Sequence, residues 1–86
     1  MFEIILSDGA NDFIAKANPP LRRKIEKCFT RLETDPHHNN NIKRLSGEFA
    51  GYLRYRLGDW RVIFQIDEKA HQVLIADIAH RREVYE

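Results

Sequence analysis

The spacing of hydrophobic residues predicts a strand and two helices in the first part of the chain. Residues 2–6, Phe-Glu-Ile-Ile-Leu, form a short apolar run typical of a buried strand, and residues 7–9 predict a turn or helix cap. From Ala10 the apolar residues recur with helical spacing. Residues 18–20, Asn-Pro-Pro, end that helix and begin the next with a cap residue and early prolines. A strand followed by a helical hairpin is therefore expected.

The second predicted helix, about residues 20–34, has one apolar stripe on an otherwise charged surface. Its apolar residues recur at helical spacing: Leu21, Ile25, Cys28, Phe29 and Leu32. Asp35-Pro36 ends the helix, and residues 37–41 are polar and predict a loop. Cys28 is expected in the core because it lies on the apolar stripe.

The remainder of the chain reads as β-structure. Residues 52–57 and 60–66 are rich in aromatic and β-branched residues, and the two-residue connection Gly58-Asp59 suits a tight hairpin. A turn at residues 67–70 leads into a third strand at 71–79. The predicted fold is α+β, in the order β-α-α-β-β-β, with the helical hairpin packed on one face of a small antiparallel-rich sheet that includes the N-terminal strand.

Composition places the chain among soluble globular proteins. Its 86 residues, 43% hydrophobic and 31% charged, predict a single domain over 1–86. No segment has the roughly 18 to 20 apolar residues of a membrane helix, nor the pattern of a signal peptide, so a cytoplasmic location and no membrane partner are expected.

The single cysteine, Cys28, cannot form an intrachain disulfide. His37 and His38 have no acid or cysteine at ligand spacing, so neither a metal nor a cofactor is predicted.

Charge is distributed unevenly although the net charge is only +1. Residues 43–61 carry five Lys or Arg against two Asp or Glu. Side chains alternate across a strand, so Arg54 and Arg56 leave the same face, shared by Tyr52, and Arg61 lies within cross-strand reach just after the hairpin turn. Such arginines can simply cover a solvated sheet face. Their number favours instead a site for a phosphate-rich partner.

Three segments together resemble a known family. They are Leu45-Ser46-Gly47, residues 51–64 with the sequence Gly-Tyr-Leu-Arg-Tyr-Arg-Leu-Gly-Asp-Trp-Arg-Val-Ile-Phe, and residues 78–85 with the sequence Ile-Ala-His-Arg-Arg-Glu-Val-Tyr. The chain resembles the RelE branch of the RelE/ParE toxin superfamily over essentially its whole length, including the order of elements, the hairpin and the closing H-R-x-x-V-Y motif.

The resemblance implies a toxin of a type II toxin-antitoxin pair that cuts messenger RNA in the A site of the 70S ribosome. A cognate antitoxin would hold it silent, and operator DNA would be bound only through the antitoxin complex. Such toxins use no metal: the ribose 2′-hydroxyl attacks the adjacent phosphate and leaves a 2′,3′-cyclic phosphate. That chemistry requires cations at the phosphate oxygens, a proton acceptor and a proton donor.

Site residues follow from the resemblance position by position. Arg61 and Arg81 match the family's arginines at the scissile phosphate, Tyr85 matches its terminal tyrosine, and Arg54 matches an active-site Lys or Arg. Tyr52 falls where some relatives carry a second lysine.

If that lysine is the base elsewhere, this chain needs another proton acceptor. His80 is then the natural candidate, because histidine changes charge near neutral pH. Glu48 is the weaker candidate. Arg56, Lys43, Arg44 and Tyr52 are predicted to bind RNA, with Lys43 and Arg44 either touching the backbone of ribosomal RNA or binding nothing.

Two other functions are compatible with the fold. One is a ParE-like inhibitor of DNA gyrase, which has no need of a convergent phosphate site, and the other is a non-catalytic nucleic-acid-binding module. An antitoxin is expected to cover the basic concavity or to displace the tail that bears Tyr85, by helix docking or strand addition.

Overall fold

The computed structural model of the protein describes residues 1–83. Within them lie two helices and a five-stranded mixed sheet: β1 (Glu3–Leu6), α1 (Asp8–Lys16), α2 (Pro19–Thr34), β2 (Ile42–Arg44), β3 (Leu53–Leu57), β4 (Trp60–Asp67) and β5 (Gln72–His80). The strands are ordered β1-β5-β4-β3-β2 across the sheet. β1 runs parallel to β5, and the other neighbours are antiparallel. The predicted α+β fold and element order are confirmed.

The helices begin where the sequence indicates. The Oγ of Ser7 accepts the N–H of Ala10 at 3.1 Å and donates to the carbonyl of Ala76 at 2.8 Å, so the cap of α1 is also tied to β5. The Oδ1 of Asn18 accepts the N–H of Leu21 at 2.9 Å and caps α2. These bonds satisfy amide groups that a helix start leaves without an internal partner.

The core lies between the two helices and one face of the sheet. Ile25, Cys28 and Leu32 on α2 are buried, which confirms the predicted apolar stripe. They face the strand residues that point toward the helices: Tyr55, Val62, Phe64, Val73, Ile75 and Ile78. The hydroxyl of Tyr55 accepts a 3.0 Å hydrogen bond from Nη1 of Arg31 and so is satisfied inside the core.

Two features go beyond the prediction. A three-residue edge strand, β2, pairs with β3 where a polar segment was expected, and the 3₁₀ turn Gly47–Phe49 follows it. In β5 the pairing with β4 shifts, so that Ile63 lies opposite Asp77 and Phe64 opposite Ile75, which leaves Ala76 as a bulge. Over residues 1–83, no helix is both long and apolar enough to cross a membrane.

Candidate active site

Cations from three strands lie together on the sheet face opposite the helices. Arg56 pairs directly with Arg61, and Lys43 pairs with Arg54. Directly opposed residues point to the same side of a sheet, so these four side chains share one face, called here the basic face. The predicted grouping of Arg54, Arg56 and Arg61 is observed, and Lys43 joins it.

Arg61 is held against the β3–β4 turn. The residue is only 7% exposed, and its Nη1 donates to the carbonyls of Gly58 at 2.8 Å and Trp60 at 2.9 Å. Gly58 has φ +62°, which places its backbone in the left-handed region that favours glycine. An anion that binds here meets a guanidinium group that is already ordered, which lowers the entropy cost of binding.

Arg81 is anchored to the same turn. Its backbone N–H donates to the carbonyl of Asp59 at 2.7 Å, and its Nη1 lies 3.6 Å from the Asp59 carboxylate. Both side chains are more than half exposed, so this ion pair is weak and can be exchanged for another anion. The turn therefore brings Arg61 and Arg81 to one end of the sheet, as predicted. Asp59 was predicted only as a turn former, and its contact with Arg81 has no separate sequence signal.

Arg54 is fixed by a backbone carbonyl. Its Nη1 donates to the carbonyl of Asn41 at 2.7 Å, and the same oxygen accepts the backbone N–H of Arg56 at 2.9 Å. Arg54 therefore ties β3 to the segment that leads into β2. Asn41 is a contributor that the sequence did not indicate, because a backbone carbonyl carries no residue-specific pattern.

His80 lies on the other side of the sheet. It pairs with Trp60, whose ring it meets edge-on at a centroid distance of 5.2 Å, whereas Arg61 pairs with Ala79. The Nδ1 of His80 accepts the backbone N–H of Arg82 at 3.3 Å. The structure thus does not bring the imidazole to the basic face beside Arg61, although the two residues were predicted to share a site.

The other predicted residues divide between the two faces. Arg44 pairs with Leu53, on the helix side, and lines a cavity with Tyr52 and Ile66 rather than joining Lys43. Tyr52 also lines a second cavity, on the basic face, together with the exposed Glu48. Tyr85 lies outside the described residues.

Cys28 and Asp35 have pKa values that are shifted for clear physical reasons. Burial raises the pKa of the Cys28 thiol to about 12, and the charge of Arg31 opposes this only in part, so Cys28 is an inert core residue. The backbone N–H of His37 lowers the pKa of Asp35, with His38 adding to the effect. Both groups lie away from the basic face.

The two loop histidines have acidic neighbours, contrary to expectation. His37 Nε2 is 2.6 Å from a carboxylate oxygen of Glu68, and His38 Nδ1 is 3.0 Å from one of Asp35. Glu68 is distant in sequence, so spacing alone could not reveal this contact. Among residues 1–83, no three His, Cys, Asp or Glu side chains are grouped as metal ligands.

Solved structures share this fold. A chain of the toxin-antitoxin complex RelBE2 from Mycobacterium tuberculosis is 26% identical, with a TM-score of 0.79 over 93% of this chain and 98% of that one. A chain of the RelE-RelB complex from Pyrococcus horikoshii is 20% identical, with a TM-score of 0.82 over 96% and 98% of the two chains. The YoeB/ParE toxin from Agrobacterium tumefaciens is 14% identical, with a TM-score of 0.80 over 92% and 98%.

Sequence comparison identifies the family. A search of the curated proteins finds no match. The family model described as ParE toxin of type II toxin-antitoxin system, parDE, matches residues 6–85, which include both anchored arginines and the turn that holds them. The chain therefore belongs to the ParE toxin family, within the RelE/ParE superfamily of type II toxin-antitoxin toxins.

Proposed function

We propose that this toxin is a ribosome-dependent endoribonuclease that cleaves messenger RNA in the A site without a metal ion. The observation that carries the proposal is the convergence of Arg56, Arg61 and Arg81 around the turn at residues 58–60. Like charges held beside each other repel, and a phosphate placed among them neutralises that repulsion.

The reaction assigns a task to each cation. The ribose 2′-oxygen attacks phosphorus, the bond from phosphorus to the 5′-oxygen breaks, and a 2′,3′-cyclic phosphate and a 5′-hydroxyl form. Arg61 and Arg81 bind the non-bridging oxygens, where negative charge develops. Arg54, Arg56 and Lys43 bind neighbouring phosphates along the basic face and set the position of the strand.

Proton transfer completes the reaction: the 2′-hydroxyl loses a proton and the 5′-oxygen gains one. Tyr85 as a stacking or proton-carrying residue and His80 as the proton acceptor stay predictions. For His80 the prediction requires the substrate to reach the imidazole around the β3–β4 turn, because the ring lies on the helix side of the sheet. The observed bond from the N–H of Arg82 to His80 Nδ1 supports a positioning role as well, because it orders the turn that carries Arg81.

Arg81→Ala provides the test, because Arg81 is exposed and its loss leaves the core intact. Cleavage of ribosome-bound messenger RNA should fall about 100-fold or more, the usual cost of removing one charge-stabilising donor. Arg23→Ala, an exposed arginine of α2 on the opposite side of the molecule, is the matched control and should cleave normally. Undiminished cleavage by the Arg81→Ala variant would remove the main catalytic assignment.

Inhibition of DNA gyrase is the second candidate, because the matching family model is that of ParE toxins. Purified gyrase supercoiling assays separate the two functions. Inhibition of supercoiling without messenger cleavage would replace the ribonuclease proposal. Binding to RNA without either activity would indicate the non-catalytic module.

A cognate antitoxin is the proposed partner in either case, since several structural neighbours are toxin-antitoxin complexes. It would neutralise the toxin and connect it to operator DNA. The 70S ribosome and messenger RNA are the further partners of the ribonuclease.

A further inference from the structure

A cavity lies on the basic face, two residues along β4 from Arg61. Its volume is about 410 Å³ among the described residues, which is ample for one nucleobase. It is lined by Glu48, Phe49, Tyr52, Ile63, Ala76 and Asp77. The 3₁₀ turn Gly47–Phe49 and the bulge at Ala76 form opposite sides of this cavity, called here the open-face pocket.

The register of the sheet fixes the distance between the pocket and the arginines. Ile63 lies directly opposite Arg54 on β3 and opposite Asp77 on β5. The pair Arg56 and Arg61 lies two residues further along, about 7 Å away at the rise of a β-strand. A nucleotide carries its base and its phosphate on opposite sides of the ribose, so one residue of RNA can place its phosphate at the arginines and its base in the pocket.

The lining of the pocket matches a base in two respects. Phe49 and Tyr52 provide aromatic rings, on which bases of single-stranded RNA stack, and Ile63 provides an apolar floor. Glu48 and Asp77 place carboxylates at the wall, and carboxylates only accept hydrogen bonds when ionised.

Acceptor-only groups discriminate between bases. Adenine, cytosine and guanine each present an exocyclic amino group, whereas uracil presents two carbonyl oxygens around one N–H. A carboxylate gains a hydrogen bond from the amino group and is repelled by the carbonyl oxygens. Glu48 is the more suitable reader of the two, because it is exposed on a short turn and can adjust to the base, whereas an Asp77 oxygen already accepts the N–H of Ile78 at 2.9 Å.

We propose that the open-face pocket binds one base of the substrate RNA next to the scissile phosphate, and that Glu48 makes it select amino-bearing bases against uracil. This inference rests on the proposed ribonuclease function. It assigns Glu48 to specificity, in place of the proton transfer that the family resemblance suggested.

The test compares wild type and Glu48→Gln on ribosomes programmed with codons that vary one position at a time. Glutamine keeps the shape of the side chain but adds an N–H donor that a uracil carbonyl accepts. At one codon position, discrimination against uracil should fall about tenfold, in line with the loss of one base-specific contact. The rates on codons with different amino-bearing bases should keep their order, because the amide oxygen of glutamine still accepts from each amino group. Glu26→Gln, an exposed glutamate on α2, is the matched control and should retain the wild-type pattern.

Other outcomes overturn the inference. A uniform loss of rate at all codons, with a changed pH-rate profile, would assign Glu48 to proton transfer. Cleavage by Glu48→Gln with unchanged codon discrimination would leave the ribonuclease standing and remove the specificity role. A wild-type protein that cleaves no codon would refute the ribonuclease proposal itself and the inference with it. Phe49→Leu tests the stacking part separately and should lower cleavage at every codon while the discrimination persists.

Discussion

Replacing Cys28 by alanine tests whether the core beneath α2 excludes water as the structure indicates. Cys28 is 1% exposed, and burial raises the pKa of its thiol from 9.0 to about 12. At pH 10 the folded protein therefore keeps the thiol protonated, whereas most of the unfolded chains have lost that proton. Stability must then depend on pH through this one group.

The sign and size of the effect follow from the two pKa values. The folded state binds more protons than the unfolded state between pH 9 and 12, so the free energy of unfolding falls as pH rises in that window. The stabilisation from the protonated thiol is fully present below pH 9. From pH 7 to pH 10, the loss amounts to about 1.4 kcal/mol, one pKa unit's worth of free energy. A variant without the thiol lacks this pH-dependent stabilisation.

Urea denaturation of wild type and Cys28→Ala at pH 7 and pH 10, with a reductant present, measures the effect. The single tryptophan, Trp60, reports unfolding by its fluorescence. The other titratable groups are common to both proteins, so their contributions cancel in the difference. Between pH 7 and pH 10, the free energy of unfolding should fall by about 1.4 kcal/mol more in the wild type than in the variant. An equal loss in both proteins would show that Cys28 is not held in a water-free core.

Three further predictions concern the core and one loop. Phe64→Ala should lower the free energy of unfolding by about 3–5 kcal/mol, because Phe64 is fully buried on a central strand; a loss below 1 kcal/mol in urea denaturation would contradict the packing. Tyr55→Phe should cost only about 0.5–1.5 kcal/mol, since it removes one hydrogen bond and leaves the exposed Arg31 free to bind water. The carboxyl of Asp35, whose pKa is lowered chiefly by the N–H of His37, should titrate below its ordinary value in an NMR pH series. Its stabilising effect should be present at neutral pH and lost as the pH falls through the folded-state pKa; a midpoint at or above the ordinary value would rule out the loop hydrogen bonds.

Much of the fold was predictable because local signals agree with each other. Asn18 with two prolines marks the start of α2, and Gly58-Asp59 marks the hairpin between β3 and β4. Alternation along those strands also gave the shared face of Arg54, Arg56 and Arg61. Each of these features depends on residues that are close in sequence.

The parts that could not be predicted depend on contacts between distant segments. β2 is three residues long, too short for a periodic signal, and is defined by its pairing with β3. The faces of β5 change at the bulge of Ala76, so the side of the sheet on which His80 lies cannot be read from its own strand. Likewise, the burial of Arg61 results from the carbonyls of the turn rather than from any apolar pattern.

The position of β5 affects the order in which the toxin can fold during its synthesis. β5 is the last of the five described strands to be synthesised, yet it lies inside the sheet between β1 and β4. Contacts such as Ser7 to Ala76 join residues 69 positions apart. Pairing over such separations is slow to form, because the intervening chain must first be ordered. Among the described strands β1 pairs only with β5, so during translation its partner is absent until β5 leaves the ribosome, and Arg81 follows β5 directly. The pairing of Arg61 and Arg81 around the β3–β4 turn is thus completed only after β5 has been synthesised and has paired with β4.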